Sequence, residues 1–202
     1  MSTYADFEWT TGWSEYDSYC LAFIRDATVT EVIDALPVFA DLGERGGNAL
    51  AAMSWDSWER IGSKRLLVGL LQLGFWTIAY EVNGYVGTTN TLMEPVSQGR
   101  EIVAHHDSAA GTGRFARYID GHTRTTFEPL FASSRQGAAP DELLPLMRQV
   151  GGYRLTPDDE EDLAFHHGPA TFALTHELTR IRLQPYQLTH SVFRVIEVPV
   201  GT

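Results

Sequence analysis

The sequence predicts an α+β domain built on an antiparallel sheet, and three observations carry that expectation. A run of β-like segments occupies the middle of the chain, with helical segments before and after it, rather than strands and helices in strict alternation. Two turn dipeptides, Asn83-Gly84 and Asp120-Gly121, come directly after such segments and favour tight hairpins. The last third carries repeated helix start and stop signals and reads as mostly helical. The 202 residues suit one domain, 1–202, with a proper core.

Taken in order, "SYCLAFIRDA" reads as a strand rich in aliphatic and aromatic residues. Thr28 and Glu31 have the spacing of a capping box, so a short helix should run to about Leu36, before Pro37. "DLGERGG" reads as a loop, and "NALAAMSWDSWERI" as a helix capped by Asn48, with Trp55 and Trp58 on one face. "KRLLVGLLQLG" and "FWTIAYEV" are strands around Gly74, and "TNTLMEPVSQG" makes one or two helical turns. "EIVAHHD", "RFARYI" and "HTRTTFE" come next as a meander, the last two joined by Asp120-Gly121. "PDELLPLMRQVGG" is a helix with acids first and glycine last. "TPDDEEDLAFHHG" is another, with Thr156 as cap and His166-His167 at its C-terminus, where imidazole suits the dipole. "PATFALTHELTRI" is a third, with Leu174, Leu178 and Ile181 on one side, and "FRVIEVPV" closes as a strand.

Composition narrows the function. Hydrophobic residues make up 44% and charged residues 20%, an ordinary globular balance. No apolar run reaches bilayer length, and the N-terminus lacks the basic start and apolar stretch of a signal peptide. One cysteine, Cys20, cannot make an internal disulfide, so a cytoplasmic home is expected. The net charge is −11 and uneven: residues 1–61 hold eleven acids against three arginines, a balance of −8. Such a surface repels nucleic acid and anionic lipid and suits a basic protein partner, although it also serves plain solubility.

The densest group of ionisable residues lies in "EIVAHHDSAAGTGRFARYIDGHTRTTFEP". His105 and His106 alternate along a strand and so point to opposite faces, which leaves too few ligands for a zinc site. No metal and no cofactor is expected. A two-residue loop at Asp120-Gly121 sets Ile119 opposite His122, Tyr118 opposite Thr123 and Arg117 opposite Arg124. Pairing Asp107 with Gly113 puts Glu101, His105 and Asp107 on the arginine face, with Ile102, Ala104, Ala116, Tyr118 and Phe127 on the core face. The polar face of such a sheet is commonly solvated. Like charges directly opposite are destabilising, so a glutamate or a bound anion should sit near the two arginines. Arg117, Arg124 and Asp107 are therefore the candidate anion- or partner-binding residues. Glu81, in "WTIAYEVNG" with Phe75, Thr77 and Ala79 on its face, is the candidate counter-charge. Glu81 and His105 are also the candidate catalytic acid and base.

Other motifs carry less. "AAGTGR" lies between two strands, where a dinucleotide fingerprint needs a helix after it. "HELTR" has Arg180 where a zinc-protease helix needs a second histidine. No G-x-S-x-G pattern is present. Tyr4, Phe7, Trp9, Trp13, Tyr16 and Tyr19 crowd the N-terminus and either tie it to the core or form a partner surface.

The segments "SYCLAFIRDATVTEVIDAL", "FWTIAYEVNGYVG", "FARYIDGHTRTTFEP" and "DELLPLMRQVGG" together resemble an uncharacterised family, a domain of unknown function found mainly in actinobacteria. The resemblance is full-length. It implies no established activity, and no functional residue is carried over from it. By analogy, the chain is similar to small immunity or antitoxin-like proteins of bacterial conflict systems. Two functions therefore suit it. One is protein binding, to a basic partner. The other is an enzyme of specialised metabolism acting on a small anionic ligand.

Overall fold

The computed structural model describes residues 1–12, 18–108, 111–156, 159 and 166–201. Its strands are β1 (Ser18–Arg25), β2 (Ala40–Gly46), β3 (Arg65–Leu73), β4 (Trp76–Val82), β5 (Glu101–Ser108), β6 (Gly113–Ile119), β7 (His122–Phe127) and β8 (Val192–Pro199). They form one sheet in the order β2-β8-β3-β4-β1-β5-β6-β7. Every pairing is antiparallel, so the α+β expectation holds. The helices are α1 (Val29–Ala35), α2 (Gly47–Ile61), α3 (Asn90–Val96), α4 (Leu144–Val150), α5 (His167–Thr179) and α6 (Pro185–His190).

Alternation along the strands feeds two cores. One face presents Leu21, Phe23, Ile78, Tyr80, Val103, Phe115 and Phe193 to α2, α4, α5 and α6. A 3-10 helix, Tyr4–Gly12, lies against α5, and Phe7 is buried there with Tyr4 and Trp9 packed around the same core. The N-terminal aromatics within the described residues thus tie the terminus down. Trp13 and Tyr16 lie outside those residues. The other face presents Ala22, Ile24, Ala79, Ile102, Ala104, Ala116 and Tyr118 to α1 and α3. All seven residues of β4 are buried, the pattern of a strand covered on both sides. β5, β6 and β7 form the expected meander, but Ile102 to His105 of β5 are buried on both faces, which corrects the expectation of a solvated face there.

Local signals are reliable where the chain's own chemistry decides. The Thr28–Glu31 capping box forms, and Thr28 Oγ1 accepts from the Glu31 amide at 3.2 Å. Asp120 and Gly121 both take positive φ, 50° and 79°, as the tight turn requires. Asn83 is also left-handed, with φ 57°, but it closes no hairpin. The neighbours of β4 are β3 and β1, and the chain after Asn83-Gly84 enters a 3-10 turn, Val86–Thr88.

Other expectations are corrected. Residues 41–47 are not a loop: most of them form edge strand β2, with a bulge between Asp41 and Gly43. α2 starts at Gly47 with Gly46 as its cap, ahead of Asn48. Its buried stripe is Gly47, Leu50, Ala51, Ser54 and Ser57, while Trp58 is 36% exposed. Small residues let α2 lie close on β3. α5 ends at Thr179 with Arg180 left-handed at φ 62°, so Ile181 lies beyond it. His166 stands at the N-cap position of α5 and His167 is its first residue. The helix expected over "TPDDEEDLAFHHG" falls mostly outside the described residues; at its start, the Asp159 carboxylate accepts from the Leu155 and Thr156 amides. Among the described residues the last third holds α4, α5, α6 and the inner strand β8, and its expected mostly helical character is not confirmed.

Both sheet edges are protected. Gln136 exchanges two backbone hydrogen bonds with Thr126, and the Ala138 and Ala139 amides donate to Thr123 and Arg124, which covers β7. β2 is blunted by its bulge: Asp41 accepts from the Gly43 amide at 3.0 Å, and Arg45 donates to its neighbour Glu44 O at 2.7 Å. Bulges and charges of this kind discourage edge-to-edge pairing.

Gly47 tests the close fit of α2. A Cβ there would stand 1.8 Å from the Leu188 carbonyl oxygen. Helix propensity alone would make Gly47→Ala stabilising by up to about 1 kcal/mol. The expected outcome is the reverse, a loss of about 1–3 kcal/mol from overpacking, measured by thermal or urea unfolding.

Candidate functional site

The two arginines come first. The Ile119↔His122 and Tyr118↔Thr123 pairs form as expected, but a bulge between Arg117 and Tyr118 then sets Arg117 opposite Thr125. Arg124 becomes the extra residue, so the two arginines are not direct cross-strand partners. The same bulge moves Phe127 onto the face of Phe115, where the two rings stack at 4.9 Å, and away from Tyr118. The arginines nonetheless meet at one carboxylate. Glu142 accepts from Arg117 Nη1 at 3.0 Å and from Arg124 Nη2 at 2.8 Å. Glu101, on the adjacent strand, takes Arg117 Nε and Nη2, each at 2.7 Å. Thr125 Oγ1 lies 3.2 Å from Glu142 Oε1, and Arg25 lies 3.6 Å from Glu101. The arginine hydrogen bonds hold the Glu142 carboxyl below its ordinary range, although its partial burial pushes the other way. Two glutamates thus supply the expected negative charge.

Glu81 is not one of them. It projects from β4 onto the opposite face, beside its cross-strand partner Cys20. It is fully buried, and its two oxygens accept from the Val86 and Gly87 amides at 2.8 Å each. Burial raises its pKa to about 7, and the two amides and the Cys20 thiol partly offset that rise. Burial, then the neighbouring carboxylate, push the Cys20 thiol well up, so it stays a protonated donor rather than a reactive thiolate.

The register extends this into a polar row across four strands. Glu81 faces Cys20, Cys20 faces His106, and His106 faces Arg114. His106 Nδ1 lies 3.0 Å from Thr88 Oγ1. Arg114 donates to Asn90 Oδ1 at 2.8 Å and to Thr126 Oγ1 at 3.0 Å, and the Tyr118 hydroxyl donates to the same Asn90 oxygen at 3.2 Å. Segment 86–90 therefore lies on the sheet as a strap, stitched down residue by residue. Gly87 fits because a Cβ would come within 2.9 Å of both Cys20 Sγ and Ala22 Cβ.

His105 lies on the other face, fully buried among Tyr19, Phe23 and Phe172. Its Nδ1 is 3.4 Å from the Tyr19 hydroxyl, and its Nε2 has no hydrogen-bond partner. Burial, then the nearby His106, lower its pKa to about 3, so the ring is neutral. Asp107, two residues on, is part-buried and accepts from the Ser108 amide at 2.9 Å. Burial raises its pKa, and His167 at the start of α5 opposes that rise.

The structure thus distributes the candidate residues over three places: Arg117 and Arg124 in an ion network, His105 and Asp107 under α5, and Glu81 beneath the strap on the far face. Glu81 and His105 cannot act on one atom of one substrate. The sequence register placed Glu101 on the arginine face but named Glu81 as the counter-charge, and it missed Glu142 and the Thr88–Asn90 strap. The strap's one signal, the Asn83-Gly84 turn, points to a hairpin instead. No group of three or more His, Cys, Asp or Glu residues able to hold a metal ion occurs among the described residues. Among them, too, no helix is long and apolar enough to cross a membrane.

The chain belongs to a family of unknown function, DUF6461, whose model matches residues 1–202. No curated protein and no solved structure matches it.

Two predictions concern these networks. Glu142→Gln should leave Arg117 and Arg124 near one another with one counter-charge, costing about 1–2 kcal/mol in unfolding free energy at neutral pH. The second concerns pH. The folded chain holds a proton on Glu81 up to about pH 7, whereas the unfolded chain releases it near 4.5. That contribution favours folding at low pH and is lost as pH rises through about 7. His105 and His106, lowered by burial to about 3 and about 4 from 6.5, act oppositely. They favour folding above pH 6.5, and that contribution is lost as pH falls. Between about pH 5 and 6.5 Glu81 therefore offsets part of the histidine loss. Glu81→Gln should steepen the acid loss of stability by about 1.4 kcal/mol per pH unit, read from urea unfolding across that range. An unchanged slope would show that Glu81 does not hold this proton.

Proposed function

We propose that this member of the DUF6461 family acts by binding another protein, a basic one, in the manner of an immunity or antitoxin-like inhibitor, in the cytoplasm. The supporting observation is the way the chain distributes its charges. Arg25, Arg65, Arg117, Arg124, Arg135, Arg180 and Arg194 all sit in ion pairs with the chain's own acids. Asp34, Glu44, Asp56 and Glu59 are among eight exposed acids that form no ion pair among the described residues, against five exposed bases, Arg45, Arg60, Lys64, Arg148 and Arg182. Free surface charge is thus weighted toward acid, in keeping with the net −11. A basic partner would find its counter-charges available and undiverted, which speeds encounter and fixes orientation.

The alternative, an enzyme acting on an anionic small molecule, relied on Arg117 and Arg124 to hold the anion. Both are engaged by Glu101 and Glu142, so an anion would have to displace a carboxylate already in place. Protein binding is the better-supported reading.

The test is binding of purified protein to the basic products of neighbouring genes, measured as an association rate. Wild type should bind one of them, and the rate should fall at least about tenfold between low and high salt. Asp34→Asn, Glu44→Gln, Asp56→Asn and Glu59→Gln combined should lower the low-salt rate by a similar factor. Turnover of a small molecule, with no basic partner bound, would overturn the proposal.

A further inference from the structure

A cleft of about 310 Å³ runs beside α2, between that helix and the β2-β8-β3 end of the sheet. Its apolar part is formed by Leu42 of β2, Met53 of α2 and Leu67 of β3. Its polar part comes from one stretch of α2: Asp56, Ser57 and Arg60. Glu197 stands on the far wall, already held by Arg65 at 3.6 Å.

Three polar groups here have no partner within the described chain. Ser57 is 5% exposed, and its hydroxyl forms no hydrogen bond. The contrast is Ser54, one turn earlier on the same stripe, whose hydroxyl donates to Leu50 O at 2.9 Å. A buried hydroxyl without a partner is uncommon and costs free energy. Asp56 and Arg60 stand four residues apart on one helix, with the acid N-terminal, the spacing and order at which opposite charges ordinarily pair. Neither forms an ion pair among the described residues. A carboxylate, a guanidinium and a hydroxyl are therefore available around one apolar recess.

We infer that this cleft is a binding site for an α-amino acid with an aliphatic side chain. Arg60 takes the carboxylate, Asp56 takes the ammonium with the Ser57 hydroxyl as a further acceptor, and Leu42, Met53 and Leu67 take the side chain. The chemistry selects a zwitterion. A fatty acid would satisfy Arg60 but set its carboxylate against Asp56, and an alkylamine would do the reverse. The volume lies at the low end of the roughly 300–1,000 Å³ range of small-molecule sites, which suits an amino acid rather than a nucleotide or a peptide. Side chains four apart on a helix have Cβ atoms about 5–6 Å apart, so their tips can close on two groups carried by one carbon. This site is separate from the surface acids on which protein binding rests, except for Asp56, and it does not depend on that reading.

Titration calorimetry with L-leucine and L-methionine tests it. Millimolar or tighter binding is expected for at least one of them. 4-Methylpentanoate and 3-methylbutylamine, which each lack one charge, should bind at least about tenfold more weakly. Arg60→Gln and Asp56→Asn should each weaken binding by a similar factor, and Ser57→Ala should weaken it by less. Arg148→Gln on α4 should leave it unchanged. All of these but Ser57→Ala alter exposed side chains, so a preserved melting temperature separates lost binding from lost fold. Absence of binding at about ten times a millimolar Kd, equal binding by the singly charged analogues, or binding unaffected by Arg60→Gln and Asp56→Asn would each overturn the assignment.

Discussion

A sheet covered on both faces leaves no solvated side for the polar side chains of its inner strands, and most of this molecule's chemistry derives from that constraint. Glu81, His105 and Cys20 all project from inner strands and are fully buried. Each had to be neutralised or satisfied from within the chain. Glu81 is satisfied by two backbone amides, Cys20 remains a thiol, and His105 stays neutral in an aromatic box with its Nε2 unpartnered. A strongly shifted titration is often a mark of catalysis. Here the geometry gives the shifts a different cause. Glu81 holds down a strap, and the polar row from Glu81 to Arg114 gives segment 86–90 one place to sit on an otherwise apolar surface.

The same constraint governs the arginines. Near the β7 edge, the face of Phe115 is less deeply covered, and Arg117 and Arg124 could have been left to solvent. Instead α4 is preceded by Glu142, which reaches both, while Glu101 grips Arg117 from the next strand. Arg117 and Glu142 are 19% and 20% exposed, so this pair is shielded well enough to hold its geometry. It fixes the bulged end of β6–β7 against the loop that leads into α4. Charge paired in this way is charge withheld from ligands.

Much of the fold was legible in the sequence, and the errors share a cause. The capping box at Thr28, the Asp120-Gly121 hairpin and the Asp107↔Gly113 register are set by neighbours a few residues apart, so local rules reach them. β2 was hidden because an exposed, bulged edge strand carries the same Gly, Asp, Glu and Arg as a loop. Asn83-Gly84 was legible as a turn but not as the start of a strap, because the path of residues 86–90 depends on Cys20 and His106, which are distant in sequence. Of the candidate site residues, the opposite faces of His105 and His106 could be read from period two alone. The same alternation put Glu101 on the arginine face, but Glu142 could not be read, since a bulge resets alternation beyond Arg117 and Glu142 comes from another segment.

The charge asymmetry read from the first 61 residues takes on physical form in the folded chain. α1 and α2 lie on opposite faces of the sheet, and they flank the β2 edge rather than one another. Exposed acids on both helices and on β2 therefore border the one edge that no other segment of the described chain covers. The opposite edge is closed by backbone pairing from Gln136 to Ala139, which needs no charge to discourage association. At β2 the bulge and the charged side chains serve that purpose. The same carboxylates can hold a copy of the chain away, through like-charge repulsion, and remain open to a surface of opposite sign. A single arrangement of charge at one edge can thus keep the protein from pairing with itself and select the sign of what it does bind.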